Sequence, residues 1–224
     1  NIVDSIFVSR INEYALRAVS LAFPIQSLMI AVAVGTAVGI NAFLSKTLGE
    51  KDFEKADIIA QNGIFLAIAS YVAFAVIGLL VSRPFFASQT EVLEVREYGV
   101  TYLTICFIGI PFITAYNIIS SIFRGLGDSR SPMYFIAIAC VANIVLDYVF
   151  MGVFRIGPAG AALGTTISQT ISVITALVAM GKKKIGIRVA RGDLKPQGKV
   201  MGQLLRVGVP VACQDGLIQV AFII

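Results

Sequence analysis

The chain has 224 residues, 57% of them hydrophobic and only 14% charged, with 18 Lys and Arg against 13 Asp and Glu for a net charge of +5. A soluble domain of this length needs more charge to cover its surface, so that class is excluded. His and Trp are absent, and the three cysteines, Cys106, Cys140 and Cys213, sit inside apolar sequence without metal-ligand spacing, which predicts small buried hydrophobes.

Taken in chain order, residues 2–8 form a short apolar stretch that reads as the second half of one membrane crossing. Five long, nearly charge-free runs follow, at 21–44, 58–81, 98–123, 133–154 and 159–180. Each is close to the roughly 20 residues that a helix needs to cross the hydrocarbon core, and five of them rule out a signal peptide or one buried core helix. A last apolar run begins near Val207 and reads as the first part of a further crossing. The fold expected is therefore an all-α polytopic membrane protein. Pro24, Pro111 and Pro210 fall inside runs, where each removes a backbone hydrogen bond. Gly160, Gly164 and Ser168, spaced by four, form a small-residue face suited to close helix approach, and Thr165, Gln169 and Ser172 form a polar stripe beside it.

The loops set the topology. With helices alternating in direction, Lys46, Lys51, Lys55, Arg124, Arg130 and every Lys and Arg from Lys182 to Arg206 fall on one side, thirteen in all; Arg10, Arg17, Arg83, Arg96 and Arg155 make five on the other. The positive-inside rule makes the first side cytoplasmic. The only long polar stretch, 182–206, is then a basic cytoplasmic linker, within reach of anionic lipid headgroups.

Most acids lie in loops or at helix ends, which leaves Asp4, Asp147 and Asp215 within helices. A carboxylate at membrane depth costs several kcal/mol unless neutralised, hydrated or paired, so it marks an ion or substrate pathway. Asn143 precedes Asp147 by four residues and shares its helix face. An amide beside a carboxylate can stabilise the protonated acid or a bound hard cation such as Na⁺. Without histidine, proton movement must use these carboxylates, with Tyr116 or Tyr148 nearby; Asn117 and Gln169 add polar lining. No nucleophile–base pair or phosphate-binding loop is present, so neither an enzyme nor an organic cofactor is expected. The glycine-rich stretch 124–128 (RGLGD) follows no strand and reads as a helix end, with Asp128 or Ser129 capping the next helix.

Four segments carry a family likeness: 1–9 (NIVDSIFVS), 124–133 (RGLGDSRSPM), 143–147 (NIVLD) and 157–166 (GPAGAALGTT). In order and spacing the chain resembles the multidrug and toxic compound extrusion (MATE) family over essentially its whole length. The resemblance implies a twelve-helix, two-lobe transporter. Residues 1–181 would be its six-helix N-terminal lobe, 182–206 the linker and 207–224 the start of the seventh helix. It implies that Asp4, Asn143, Asp147 and Thr165 form a network that responds to H⁺ or Na⁺, bending the first helix to release a lipophilic, mostly cationic compound outward. It further implies a plasma-membrane protein, monomeric when full length, whose partners are membrane lipids and small amphipathic cations and not nucleic acid. Flippases of lipid-linked oligosaccharides or lipids in the same superfamily are the alternative, but their pyrophosphate-bearing cargo favours cations in the cavity. Here Lys and Arg lie in loops or at helix ends and the mid-helix charges are acidic, which favours a cationic substrate. The missing second lobe predicts that this stretch alone does not transport.

Overall fold

The computed structural model describes residue 8, residues 12–182 and residues 196–221. The described residues form six helices and no strand: α1 (Glu13–Gly49), α2 (Phe53–Gln89), α3 (Leu93–Gly125), α4 (Arg130–Asp147, continued by a π-helical turn at Tyr148–Val153), α5 (Pro158–Lys182) and α6 (Gly198–Ala221). Five of these, α1 to α5 with the π turn included in α4, are long and apolar enough to cross a membrane.

The five helices contain the five apolar runs, except for Phe154 at the end of the fourth, and are longer than them. α1 and α2 have 37 residues each, about 55 Å at 1.5 Å per residue, well beyond a hydrocarbon core of roughly 30 Å. Their polar ends therefore stand outside the lipid, and each finds a cap. The Asn12 side chain accepts a hydrogen bond from the Tyr14 amide at 2.9 Å and starts α1. Asp52 accepts from the Lys55 amide at 3.2 Å and pairs with Lys55 Nζ at 2.9 Å to start α2. Asp128 accepts from both the amide and the hydroxyl of Ser131, at 3.0 and 2.7 Å, so of the two residues expected to cap α4 it is Asp128 that does so. Gly127 supplies the positive φ, 82°, that the preceding turn requires. The corner between α2 and α3 is closed by Arg96, whose guanidinium donates to the carbonyls of Thr90 at 2.6 Å and Ala87 at 3.2 Å.

α1 is the central column. It packs chiefly on α3 and α6, while α3 leans on α5 and α5 on α4. Its buried face is built of small residues, among them Ala15, Ala18, Ala22, Ala31, Gly35 and Gly39. Lipid tails offer no hydrophobic gain over a neighbouring helix, so close backbone approach is what holds such bundles together. Larger side chains fill three interior clusters, around Phe86 and Phe107 near one end of α1, Ile40 and Leu44 near the other, and Phe123 and Phe135 between α3, α4 and α5. The outer face of α2 is a continuous apolar stripe that includes Ile68, Val72, Val76 and Leu80.

Three sequence expectations change. Cys140 and Cys213 are exposed on the bundle surface and only Cys106 is half-buried, because a membrane helix has no need to hide an apolar side chain. α6 begins at Gly198, nine residues before the apolar run at Val207. Its polar first turns are held down by Asn62 of α2, whose amide oxygen accepts from the Gln197 amide at 2.7 Å. Finally, the run at 133–154 is not one regular helix: after Asp147 it widens into the π turn, closed by the Phe154 amide donating to the Val149 carbonyl at 2.9 Å.

Candidate functional site

α4 has two unlike faces. Ile144, Val145 and Tyr148 are 44%, 55% and 60% exposed, whereas Asp147 is 0% exposed. The helical period alone puts this carboxylate on the face turned toward the bundle. Asn143, one turn earlier and half-buried, donates from Nδ2 to Asp147 Oδ1 at 3.4 Å. The pairing expected from the four-residue spacing is present.

The opposing wall is α5. Gly164 lies directly beneath the carboxylate, so close that a Cβ at that position would overlap Asp147 Oδ1 and stand 3.5 Å from the Asp147 amide nitrogen. One turn further along, a Cβ on Gly160 would lie 3.1 Å from both Phe150 Cβ and Met151 Cγ of the π turn. At the other end of the seam the Ser172 hydroxyl donates to the Phe135 carbonyl at 3.2 Å. The small-residue face at Gly160, Gly164 and Ser168 thus packs against the stretch of α4 and π turn that carries the acid.

Thr165 follows Gly164 by one residue, about 100° further round the helix, and opens elsewhere. With Gln26, Cys106, Gly109, Thr166 and Gln169 it lines a cavity of about 20 Å³ between α1, α3 and α5, room for roughly one water molecule. Gln26 accepts from the Tyr102 hydroxyl at 3.0 Å beside this cavity, tying α1 to α3. Gln26 and Tyr102 are polar residues that sequence reasoning missed. The available signal was an amide two residues after Pro24 in an otherwise apolar run.

The remaining expected residues scatter. Tyr116 is buried, but its hydroxyl donates to the Pro132 carbonyl at 3.0 Å and binds α3 to the start of α4. Asn117 turns its amide back to the Ile113 carbonyl of its own helix at 3.0 Å. Tyr148 is on the exposed face of the π turn, and Asp215 is half-buried on α6 beside Gly216. Asp4 lies outside the described residues. A separate open groove of about 620 Å³ runs between α1, α2 and α6, lined by apolar side chains with Thr36, Ser70 and Cys213.

What the described residues bring together is a buried carboxylate with an amide donor beside it, a pair on which a proton or a hard cation can be held. Its setting has known counterparts. The MatE family model matches residues 1–149. The probable multidrug resistance protein YpnP of Bacillus subtilis is 30% identical over 214 residues, 95% of this chain and 47% of that protein. The multidrug export protein MepA of Staphylococcus aureus is 25% identical over 203 residues, 89% of this chain and 44% of that protein. Among solved structures, a MOP superfamily transporter from Pyrococcus furiosus, reported for the reverse polarity of its binding pocket, superposes with a TM-score of 0.89 at 28% identity. That match takes in 100% of this chain and 50% of the transporter. The chain thus spans about half the length of the relatives it matches, and it is a multi-pass membrane protein that belongs to the MATE family.

Proposed function

We propose that the protein is the N-terminal lobe of a cation-coupled antiporter, in which inward movement of H⁺ or Na⁺ through Asp147 drives outward movement of a lipophilic cation. The observation that carries this reading is a carboxylate with 0% exposure on a helix of membrane-spanning composition, accompanied by an amide four residues away. Such a group is tolerated at membrane depth when it is neutralised, hydrated or paired, and a proton or a cation is the partner that can come and go. Taking up and giving back that partner is a change of net charge inside the bundle, and a change of charge can bias helix packing.

The cargo follows from charge. A buried acid attracts a cationic compound and opposes a pyrophosphate-bearing one, which favours drug-like cations over lipid-linked sugars. The names of the Bacillus and Staphylococcus relatives, a multidrug resistance and a multidrug export protein, agree with this reading. The apolar groove between α1, α2 and α6 has the lining that an amphipathic cation needs on its way through. On this reading residues 1–181 act as one lobe, 182–206 lie on the cytoplasmic side of the cell membrane, and the ion network extends from Asp147 to Asp4 and, across α5, to Thr165 on the cavity between α1, α3 and α5.

The test is driven efflux. The full-length protein in sealed vesicles is loaded with a fluorescent cationic dye, and an outward dye flux is measured under an imposed pH gradient and, separately, a Na⁺ gradient. One gradient should drive efflux, and Asp147→Asn should abolish the driven component. Wild-type efflux from that variant under both gradients overturns the reading.

A further inference from the structure

We infer that Gly164 is a positioning residue for the coupling carboxylate: its missing side chain is the space that the Asp147 carboxylate occupies. The inference rests on the reading of Asp147 given above. Three observations carry it. The Gly164 Cα faces the carboxylate so closely that any Cβ would overlap Asp147 Oδ1. The carboxylate has no exposed surface into which it could swing without repacking. The helices on either side of the contact are pinned, by the Ser172–Phe135 hydrogen bond at one end and by Gly160 against Phe150 and Met151 at the other. A methyl group added at 164 cannot be absorbed by parting α4 from α5 at that point alone. The Asp147 side chain must rotate instead, away from the position in which Asn143 meets it.

This role differs from ordinary helix packing. A glycine that only lets two backbones approach is indifferent to the side chain across the seam. Gly164 meets a functional oxygen, so its replacement should alter how that oxygen holds an ion. Displaced supporting groups around an ion commonly change its affinity about 10- to 100-fold.

Two measurements on the full-length protein test this. In the efflux assay, Gly164→Ala should raise the H⁺ or Na⁺ concentration for half-maximal driven efflux by about tenfold. Gly160→Ala, which strains the same seam without touching the carboxylate, should leave that concentration unchanged. The second measurement is independent of transport and stands even if Gly164→Ala is poorly folded. Thermal unfolding of purified protein should show that Gly164→Ala lowers the melting temperature in the wild-type background. In an Asp147→Ala background, where the carboxylate is gone, the same change should lower it far less. An equal loss in both backgrounds, or an unshifted half-maximal concentration, overturns the inference and leaves Gly164 a packing glycine. Wild-type driven efflux from Asp147→Asn would instead overturn the coupling role of Asp147, while the melting comparison would still report on the contact.

Discussion

Two seams in this molecule use glycine to bring helices together, and they put the space to different ends. Between α1 and α6 the contact is backbone on backbone: a Cβ on Gly35 would come within 2.6 Å of the Gly208 carbonyl oxygen, and one on Gly208 within 2.7 Å of the Gly35 carbonyl oxygen. Between α4 and α5 the room opened at Gly164 is filled by the Asp147 carboxylate. The first seam is reciprocal, and its neighbours are main-chain atoms and the Ala212 Cβ, none of which can turn aside. The second holds a single ionisable side chain that can. Small residues at a helix interface thus signal close approach, and only the residue across the seam says whether the purpose is adhesion or a site.

Changes on either side should separate the two. The largest effect belongs to Asp147→Asn, which keeps the shape of the α4–α5 seam and removes its charge. Driven dye efflux should fall more than tenfold, while the melting temperature changes little or rises, because no buried charge remains to be accommodated. At the α1–α6 seam the order reverses. Gly35→Ala or Gly208→Ala should cost about 1–3 kcal/mol of stability by overpacking, read as a lowered melting temperature, with no change in the ion concentration for half-maximal efflux. Truncating Asp147 should give no relief there. Smaller again is Asn62→Ala, which removes the acceptor for the Gln197 amide. It should cost about 1 kcal/mol and speed hydrogen exchange at the start of α6 while sparing α4 and α5.

The smallest effect is expected from a carboxylate in water. The hydrogen bonds and charge of Lys55 hold Asp52 below the ordinary carboxylate value of 3.8. A depressed pKa means that Asp52 contributes stability above that ordinary value and loses the contribution as pH falls through the lowered one. Melting temperatures of wild type and Asp52→Asn should therefore differ slightly near neutral pH and converge in acid. High salt should narrow the gap too, since the pair is exposed.

Much of this was legible in the sequence and some was not, for physical reasons. Apolar runs report the part of a helix in hydrocarbon, so the order and number of α1 to α5 could be read, and of their capped ends only the one at Asp128 that starts α4. The Asn143–Asp147 pair was legible because a four-residue spacing holds wherever a helix forms. Tyr116 and Asn117 were not, since a hydroxyl or amide in an apolar run looks the same whether it lines a cavity or bonds to a carbonyl, as both do here. Thr165 stands next to Gly164 in sequence, yet one residue of helix puts it on the cavity between α1, α3 and α5. The spacing of Gly160, Gly164 and Ser168 announced a close neighbour without naming it, because spacing within one helix carries no register against another.

The π turn at Tyr148–Val153 makes the direction of Asp147 a matter of phase. A π turn takes in one residue more than an α-turn, so Phe150 and Met151 within it are offset, relative to Asp147, from where a regular helix would put them. Deleting Tyr148 or Val149, between the acid and the contact of Phe150 and Met151 with Gly160, would put that contact out of phase with the Ser172–Phe135 hydrogen bond upstream. One of the two grips on α4 would have to give, and the fit of Asp147 over Gly164 with it, although no residue of the site had been touched. Length at this one place works as an address.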